Sequence, residues 1–412
     1  MNFEKKRIKC LLAAMLLGLC TGIGYAWSVF QTPLMKNFEW QLSAISLTFT
    51  IQVLISTISP VFLGKFQKKI GVANYLRIGI IVYALGLLAT RFTSSIGYLY
   101  VIYGLVVGAG MGMLYPTLVA YSTSLFPEKT GMAAGILACA YGSGAVVWAP
   151  LATLLMRQFS VLEVFSFLAV LFVVVMFPVS FLIKEPPAGF HPKPQKEKKE
   201  KSSTAPTVDF VWKEMLKTPK FYILVISLTL GATSGLMITG HASNIMQEVL
   251  SFTPETAALL VGLISIFNAA GRLIYGAVSD RIGRYNMMMI LFAVIGCAML
   301  LLTQSGGVVF MVALLAISSS YGGFTAMISP VCADNFGLKN LAVNYTFFYI
   351  SYGLAGVIGP QLASIIKTAS GGYNNAFLTV AGMSVGGFLL VLSLKLKKAH
   401  VIVDNASLDA DS

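Results

Sequence analysis

Gly276-Ala-Val-Ser-Asp280-Arg281-Ile282-Gly283-Arg284 is a short charged loop that ends one long apolar run and starts the next. Gly64-Lys-Phe-Gln-Lys68-Lys69-Ile70-Gly71 stands in the same relation to its own neighbours earlier in the chain. Both set one glycine seven residues before another and finish basic–Ile–Gly. The repeat extends outward from this pair. Phe126-Pro-Glu-Lys129 precedes one apolar run as Phe336-Gly-Leu-Lys339 precedes another, and Tyr141-Gly142 with Pro150 matches Tyr352-Gly353 with Pro360. Apolar runs joined by short charged loops, built twice over, read as a duplicated membrane bundle.

Composition agrees. The 412 residues are 57% hydrophobic and 11% charged, with mean hydropathy +0.79. Soluble domains carry roughly a quarter charged residues, so a water-soluble enzyme or a nucleic-acid binder is excluded. A spanning helix needs about 20 apolar residues. Twelve runs qualify: 10–31, 43–64, 73–91, 97–122, 131–156, 163–183, 220–242, 256–279, 285–303, 306–331, 341–366 and 376–395. They are too continuous for the alternating strands of an outer-membrane barrel. The expected architecture is all-α: twelve transmembrane helices in two pseudo-symmetric six-helix bundles, 1–183 and 220–398. A cytoplasmic loop, 184–219, joins the bundles, and a disordered cytoplasmic tail, 399–412, follows.

Charge sets the orientation. With a cytoplasmic N-terminus, only Lys36, Arg91, Arg157 and Lys367 of the 29 basic residues fall outside, 24 fall inside, and Arg272 alone is assigned to neither side. Both termini are therefore expected in the cytoplasm. The N-terminal run lacks a small-residue cleavage site and reads as the first span, not a signal peptide. The joining loop contains Lys196-Glu197-Lys198-Lys199-Glu200-Lys201, a composition that buries no core. Its later part, Val211 to Leu216, suits a short amphipathic helix on the membrane surface. The five cysteines, Cys10, Cys20, Cys139, Cys297 and Cys332, lack metal-ligand spacing and read as packing residues.

The run Gly276 to Arg284 resembles the loop motif of the major facilitator superfamily. That resemblance implies a rocking transporter with its substrate site near the midplane between the halves. In the motif, which also includes Arg281, Gly283 and Arg284, Gly276 lets helices close and Asp280 pairs with neighbouring basic groups and helix dipoles. The earlier copy has Lys68 where the acid stands, so state-locking contacts are expected in the second half. Four further stretches resemble the oxalate–formate antiporter family of bacterial monocarboxylate carriers. They are Gly24-Tyr-Ala-Trp-Ser-Val-Phe30, Phe126-Pro-Glu-Lys-Thr-Gly131, Ile266-Phe-Asn-Ala-Ala-Gly-Arg-Leu273 and Asn344-Tyr345.

Arg272 is the leading site residue, because an ionised side chain inside a bilayer is costly and marks function by default. Ser265, Asn268 and Arg272 share one helix face. A guanidinium fork matches a carboxylate with two hydrogen bonds, and Asn268 either orients it or takes a substrate oxygen. The rival reading is an arginine that snorkels to the cytoplasmic face. The resemblance implies an anion-binding arginine at this position of span 8. Oxalate carriers of that family also place a lysine in span 11, where this chain has Tyr352. One buried cation favours a monocarboxylate such as lactate, pyruvate or formate over a dianion. Tyr25, Tyr115, Tyr321 and Tyr352 supply an apolar wall with a polar tip.

No acidic residue falls in the middle of a run. His241, near the outer end of span 7 with Ser234 and Asn244, is the candidate for proton coupling. The alternative is an interfacial histidine held by hydrogen bonds. Proton symport and anion exchange both remain open. No phosphate-binding loop, metal site or cofactor motif occurs. The expected function is a monomeric secondary carrier of a small organic anion, not an enzyme, in a bacterial cytoplasmic membrane. The alternatives are an exporter of larger amphipathic compounds and a non-transporting membrane sensor of organic acids.

Overall fold

The computed structural model describes residues 3–126, 130–185, 209–304, 306–337 and 340–410. Among them twelve helices are long and apolar enough to cross a membrane. In chain order, spans 1 to 6 are Lys6–Ala26, Leu42–Gln67, Val72–Phe92, Ile96–Leu125, Met132–Leu155 and Val161–Ser180. Spans 7 to 12 are Pro219–Val249, Pro254–Ile282, Arg284–Gln304, Gly307–Phe336, Val343–Ser370 and Asn374–Leu396. Every run read from the sequence becomes one of these. Arg77, inside the third run, is accommodated near its start: its guanidinium donates to Asn74 Oδ1 at 2.8 Å and covers the Phe181 ring at 4.3 Å. The outward surface is apolar, with Leu85, Val174 and Leu389 more than half exposed, as lipid contact requires.

An even number of spans brings both ends of the chain to one side, the terminal end; the opposite side is the far end. The halves meet through span 2 on span 11, span 5 on span 8 and span 1 on span 7. Duplication maps span 2 onto span 8 and span 5 onto span 11. The first two contacts are therefore one interface made twice, and the third maps onto itself.

Two spans are broken where the site forms. Span 1 begins as the helix Phe3–Thr21, tightens into 3₁₀ turns over Gly22–Ala26, and resumes as Ser28–Phe38. Span 5 runs Thr130–Gly142, breaks at Ser143, and continues as Gly144–Leu155. The breaks touch: a Cβ on Gly22 would sit 2.9 Å from the Gly144 Cα. Trp148 Nε1 ties them further by donating to the Leu19 carbonyl at 2.7 Å. Only glycine permits this approach, and it sets Tyr25 beside Tyr141.

The duplicated loops share their backbone geometry. Gly71 (φ 80°, ψ 160°) and Gly283 (φ 90°, ψ 146°) end spans 2 and 8 in the same conformation. Asn74 and Asn286 occupy equivalent places after them, each donating to a carbonyl four residues back, Ile70 and Ile282. What holds each loop differs. In the second half Arg284 pairs with Asp280 and with Asp334 of span 10 (3.2 Å), and reaches Ser279 Oγ. In the first half Glu185, following span 6, accepts from the Val72 amide at 2.6 Å and caps span 3.

Some expectations need correction. Gly276 is not where helices close, since a Cβ there would meet nothing nearer than Ala326 Cβ at 3.8 Å. Spans 8 and 10 close at Gly271 and Gly322, which lie against the Ser319 and Asn268 backbones. Of the joining loop, 186–208 lie outside the described residues, including the Lys/Glu run; so do Pro127, Glu128 and Lys129. Val211 to Leu216 does not lie free on a surface. It forms one helical turn, Trp212–Met215, with Met215 buried and Trp212 stacked on Phe347 of span 11 at 5.4 Å. The tail expected to be disordered continues the last helix, Asn374–Ala410. No proline or glycine interrupts it after Phe388.

Gly283 has backbone angles that only glycine adopts readily, at a cost of about 1–3 kcal/mol for other residues. Gly283→Ala is therefore expected to lower the unfolding temperature of the detergent-purified protein, and Gly276→Ala to leave it unchanged.

Candidate functional site

Arg272 sits one helical turn after Asn268 on span 8 and is only 8% exposed. It does not snorkel to the terminal end. The close packing of spans 8 and 10 at Gly271 and Gly322 turns this face inward, while Ile266, Phe267 and Ile274 on other faces are exposed. Asn268 fixes the guanidinium by accepting from Nε at 3.2 Å, and its own amide donates to the Ser318 carbonyl at 3.4 Å. Asn268 thus orients the arginine. Nη2 donates to Tyr25 Oη at 2.6 Å, and Nη1 reaches Tyr115 Oη at 3.5 Å. None of the ion pairs found among the described residues includes Arg272. Its partners are neutral oxygens from both halves of the molecule.

The guanidinium borders a narrow cavity of about 30 Å³, room for about two water molecules. Tyr25, Tyr115 and Tyr141 line it from the first half, with Arg272, Thr325, Tyr345, Tyr349 and Tyr352 from the second. The rings brace one another. Tyr115 stacks on Tyr141 at 4.1 Å, Tyr141 meets Tyr25 edge-on at 5.4 Å, and Tyr349 stacks on Tyr352 at 5.3 Å.

Four residues expected at the site, Tyr25, Tyr115, Arg272 and Tyr352, therefore face one cavity. Tyr321 lies behind it: fully buried, its hydroxyl is 3.5 Å from that of Tyr25. The sequence reading missed Tyr141, Tyr345, Tyr349 and Thr325. A signal existed for two of them, because Tyr345, Tyr349 and Tyr352 form a stripe at helical spacing. Tyr141 marks the break in span 5 but carries no such pattern.

His241 belongs to a different cluster, at the far end. Its Nε2 lies 2.9 Å from the Pro360 carbonyl and 3.3 Å from Ser46 Oγ, and its Nδ1 lies 3.3 Å from Tyr373 Oη. The carbonyl can only accept, so Nε2 bears the proton and Nδ1 accepts from the tyrosine. Beside it, Asn244 donates to Gln31 Oε1 at 2.6 Å and accepts from Thr32 Oγ1 at 2.8 Å. These bonds, with the Arg157–Glu255 ion pair at 3.0 Å, join the halves at the far end. Asp280 and Arg281 in the last turn of span 8, Gly283 at its C-cap and Arg284 at the start of span 9 lie at the terminal end. Among the described residues no group of His, Cys, Asp and Glu could hold a metal, and the five cysteines are unpaired.

Comparison with known proteins bears on this arrangement. The family model of the Major Facilitator Superfamily matches residues 10–243 and 235–410. The oxalate:formate antiporter of Oxalobacter formigenes is 28% identical, over 92% of this chain and 89% of that protein. The uncharacterized MFS-type transporter YhjX of Escherichia coli is 26% identical, over 86% and 87%. Monocarboxylate transporter 12 of Xenopus laevis is 24% identical, over 90% and 83%. A bacterial homologue of the human lysosomal transporter Spinster superposes with TM-score 0.67 at 13% identity, covering 94% of this chain and 95% of that one. At that identity the likeness is one of fold.

Tyr25→Phe would leave a buried charged donor unpaired, a loss of about 1–3 kcal/mol. Tyr321→Phe removes only contacts between neutral hydroxyls, to Tyr25 at 3.5 Å and to Tyr352. Thermal unfolding of the two purified variants should show a clear drop for the first and little for the second.

Proposed function

The chain belongs to the major facilitator superfamily, a family of transporters, and from that premise we propose that it carries a small monocarboxylate anion by alternating access. Arg272 binds the carboxylate, with Tyr25, Tyr115 and Tyr352 around it and Asn268 holding the guanidinium in place. The observation that carries this reading is a buried guanidinium with only neutral partners in a cavity shared by both halves. Such a charge is costly in an apolar bundle, and a carboxylate offsets it with two charge-assisted hydrogen bonds. The cavity lies between the elements that must rock, where a carrier's site belongs.

The charge count supports a monoanion. Among the described residues no lysine lines the cavity, and Tyr352 stands where the resembled oxalate carriers have one, so a dianion would bring one charge without a partner. The relatives named for oxalate, formate and monocarboxylates agree with the general class.

Anion exchange is the mode these groups favour over proton symport. Among the described residues no Asp, Glu or His lines the cavity, and His241 is engaged at both nitrogens in the far-end cluster. Rocking with Arg272 uncompensated means carrying a bare buried charge through closure; rocking with substrate bound does not. A monomer suffices for the proposed site, since the described cavity wall comes from one chain. The basic residues gathered at the terminal end support a cytoplasmic membrane location with both termini inside.

Counterflow in proteoliposomes tests this. Wild-type protein should exchange labelled formate or lactate at saturable rates, with net uptake into empty vesicles much slower. Arg272→Ala should lower exchange about a hundredfold and Arg272→Lys about tenfold, because lysine lacks the planar fork. Full exchange in Arg272→Ala would discard the assignment. Tyr352→Lys should raise inhibition by oxalate and weaken the use of monoanions. His241→Gln should retain exchange, whereas its loss with folding intact would restore a coupling role.

A further inference from the structure

A second cavity adjoins the arginine pocket and shares Tyr25, Tyr141 and Tyr352 with it. Its remaining wall is Gly24, Phe49, Gln52, Val53, Ser56, Leu236 and Thr239, and its volume is about 10 Å³. That is room for about one water-sized group. Gln52 of span 2 is 2% exposed, and its Oε1 has no hydrogen-bond partner. The orphaned oxygen points toward the side of Gly24 that borders the cavity: a Cβ on Gly24 would lie 3.9 Å from it.

The orientation of the amide follows from its other end. Gln52 Nε2 lies 2.8 Å from the Met111 sulfur. A thioether sulfur is an acceptor only, so the nitrogen belongs on that side and the oxygen faces the cavity. Ser56 adds to the same polarity, since its hydroxyl proton goes to the Val53 carbonyl at 2.8 Å, leaving lone pairs available. Gln52 and Ser56 therefore offer acceptors in a space the size of one hydroxyl. An unpaired buried acceptor costs free energy that a donor on the ligand recovers.

Building on the proposed monocarboxylate site, we infer that Gln52 is a specificity residue that reads a hydroxyl donor on the substrate. With the carboxylate on Arg272, the hydroxyl of a short 2-hydroxy acid reaches past the shared tyrosines to Gln52 Oε1. A 2-oxo acid presents an acceptor there and repels it; an unsubstituted acid leaves it unpaired. The ranking is 2-hydroxy acid first, unsubstituted acid next and 2-oxo acid last. Sites built around a substrate hydroxyl discriminate strongly against analogues that lack it.

The experiment measures inhibition of labelled formate counterflow by lactate, propionate and pyruvate, for wild type and Gln52→Leu in parallel vesicles. Wild type should bind lactate at least tenfold more tightly than propionate, with pyruvate weakest. Gln52→Leu should raise the lactate inhibition constant to that of propionate while propionate changes less than threefold. Formate carries no hydroxyl, so its exchange reports a folded carrier. Equal inhibition by lactate and propionate in wild type, or a lactate preference that survives in Gln52→Leu, overturns the inference while formate exchange keeps the monocarboxylate reading standing. Absence of exchange with every acid in wild type overturns both. If Gln52→Leu alone loses formate exchange, the wild-type ranking and Gly24→Ala decide. The added methyl should fill the cavity and erase the lactate preference, and an unaltered ranking there overturns the inference.

Discussion

Arg272 carries a full positive charge into the interior of an apolar bundle, where bare ions cost several kcal/mol, and the surrounding construction answers that cost. Asn268 on the preceding turn holds one edge of the guanidinium. The other edge is met by the Tyr25 hydroxyl, which arrives because span 1 leaves its helical path at Gly22–Ala26. That detour is possible because Gly22 and Gly144 let spans 1 and 5 touch at backbone distance. Behind span 8, Gly271 and Gly322 draw span 10 close enough to keep the arginine facing inward. Four glycines and a broken helix thus serve the placement of one cation among neutral oxygens.

The polar contacts divide into two kinds. At the terminal end Arg284 is bound to Asp280, Asp334 and Ser279, all within one half, and Glu185 caps Val72 within the other. These bonds keep each bundle rigid. At the far end Asn244 with Gln31 and Thr32, and His241 with Ser46, join one half to the other through neutral hydrogen bonds. Each neutral bond contributes about 0.5–1.5 kcal/mol net, and water can replace it when the halves part. Between the halves at the far end the charged exception is Arg157–Glu255, an exposed pair of the kind worth about 0–1 kcal/mol; firm contacts within the halves and exchangeable ones between them are what a rocking pair of bundles requires.

The twelve spans, their duplication and Arg272 were legible in the sequence because each rests on a local signal: apolar run length, a repeated loop and a charge where none belongs. Tyr25, Tyr115 and Tyr352 were found through resemblance, while Tyr141, Tyr345 and Tyr349 were not assigned, since packing and pocket tyrosines look alike without neighbours. Gly276 was misjudged for a related reason. A motif names the glycines of a loop, but which glycine meets a neighbouring backbone depends on where the helices cross, and that point fell at Gly271 and Gly322. Gln52 carried no signal at all, because an orphaned atom exists only in relation to Met111 and Gly24.

A carrier must release what it binds, and the site's composition bears on that balance. A carboxylate about 4 Å from a guanidinium gains about 4 kcal/mol at the effective dielectric suited to protein sites, while desolvating it costs several kcal/mol. The two nearly cancel. Tyrosine hydroxyls and the fork's paired donors then leave a modest net affinity, enough to select an anion without trapping it. A second buried cation would tilt that balance toward tight retention of any monoanion, and a buried carboxylate would abolish the attraction by pairing with Arg272 itself. One arginine among tyrosines is therefore a composition that both recognises a single negative charge and lets it go.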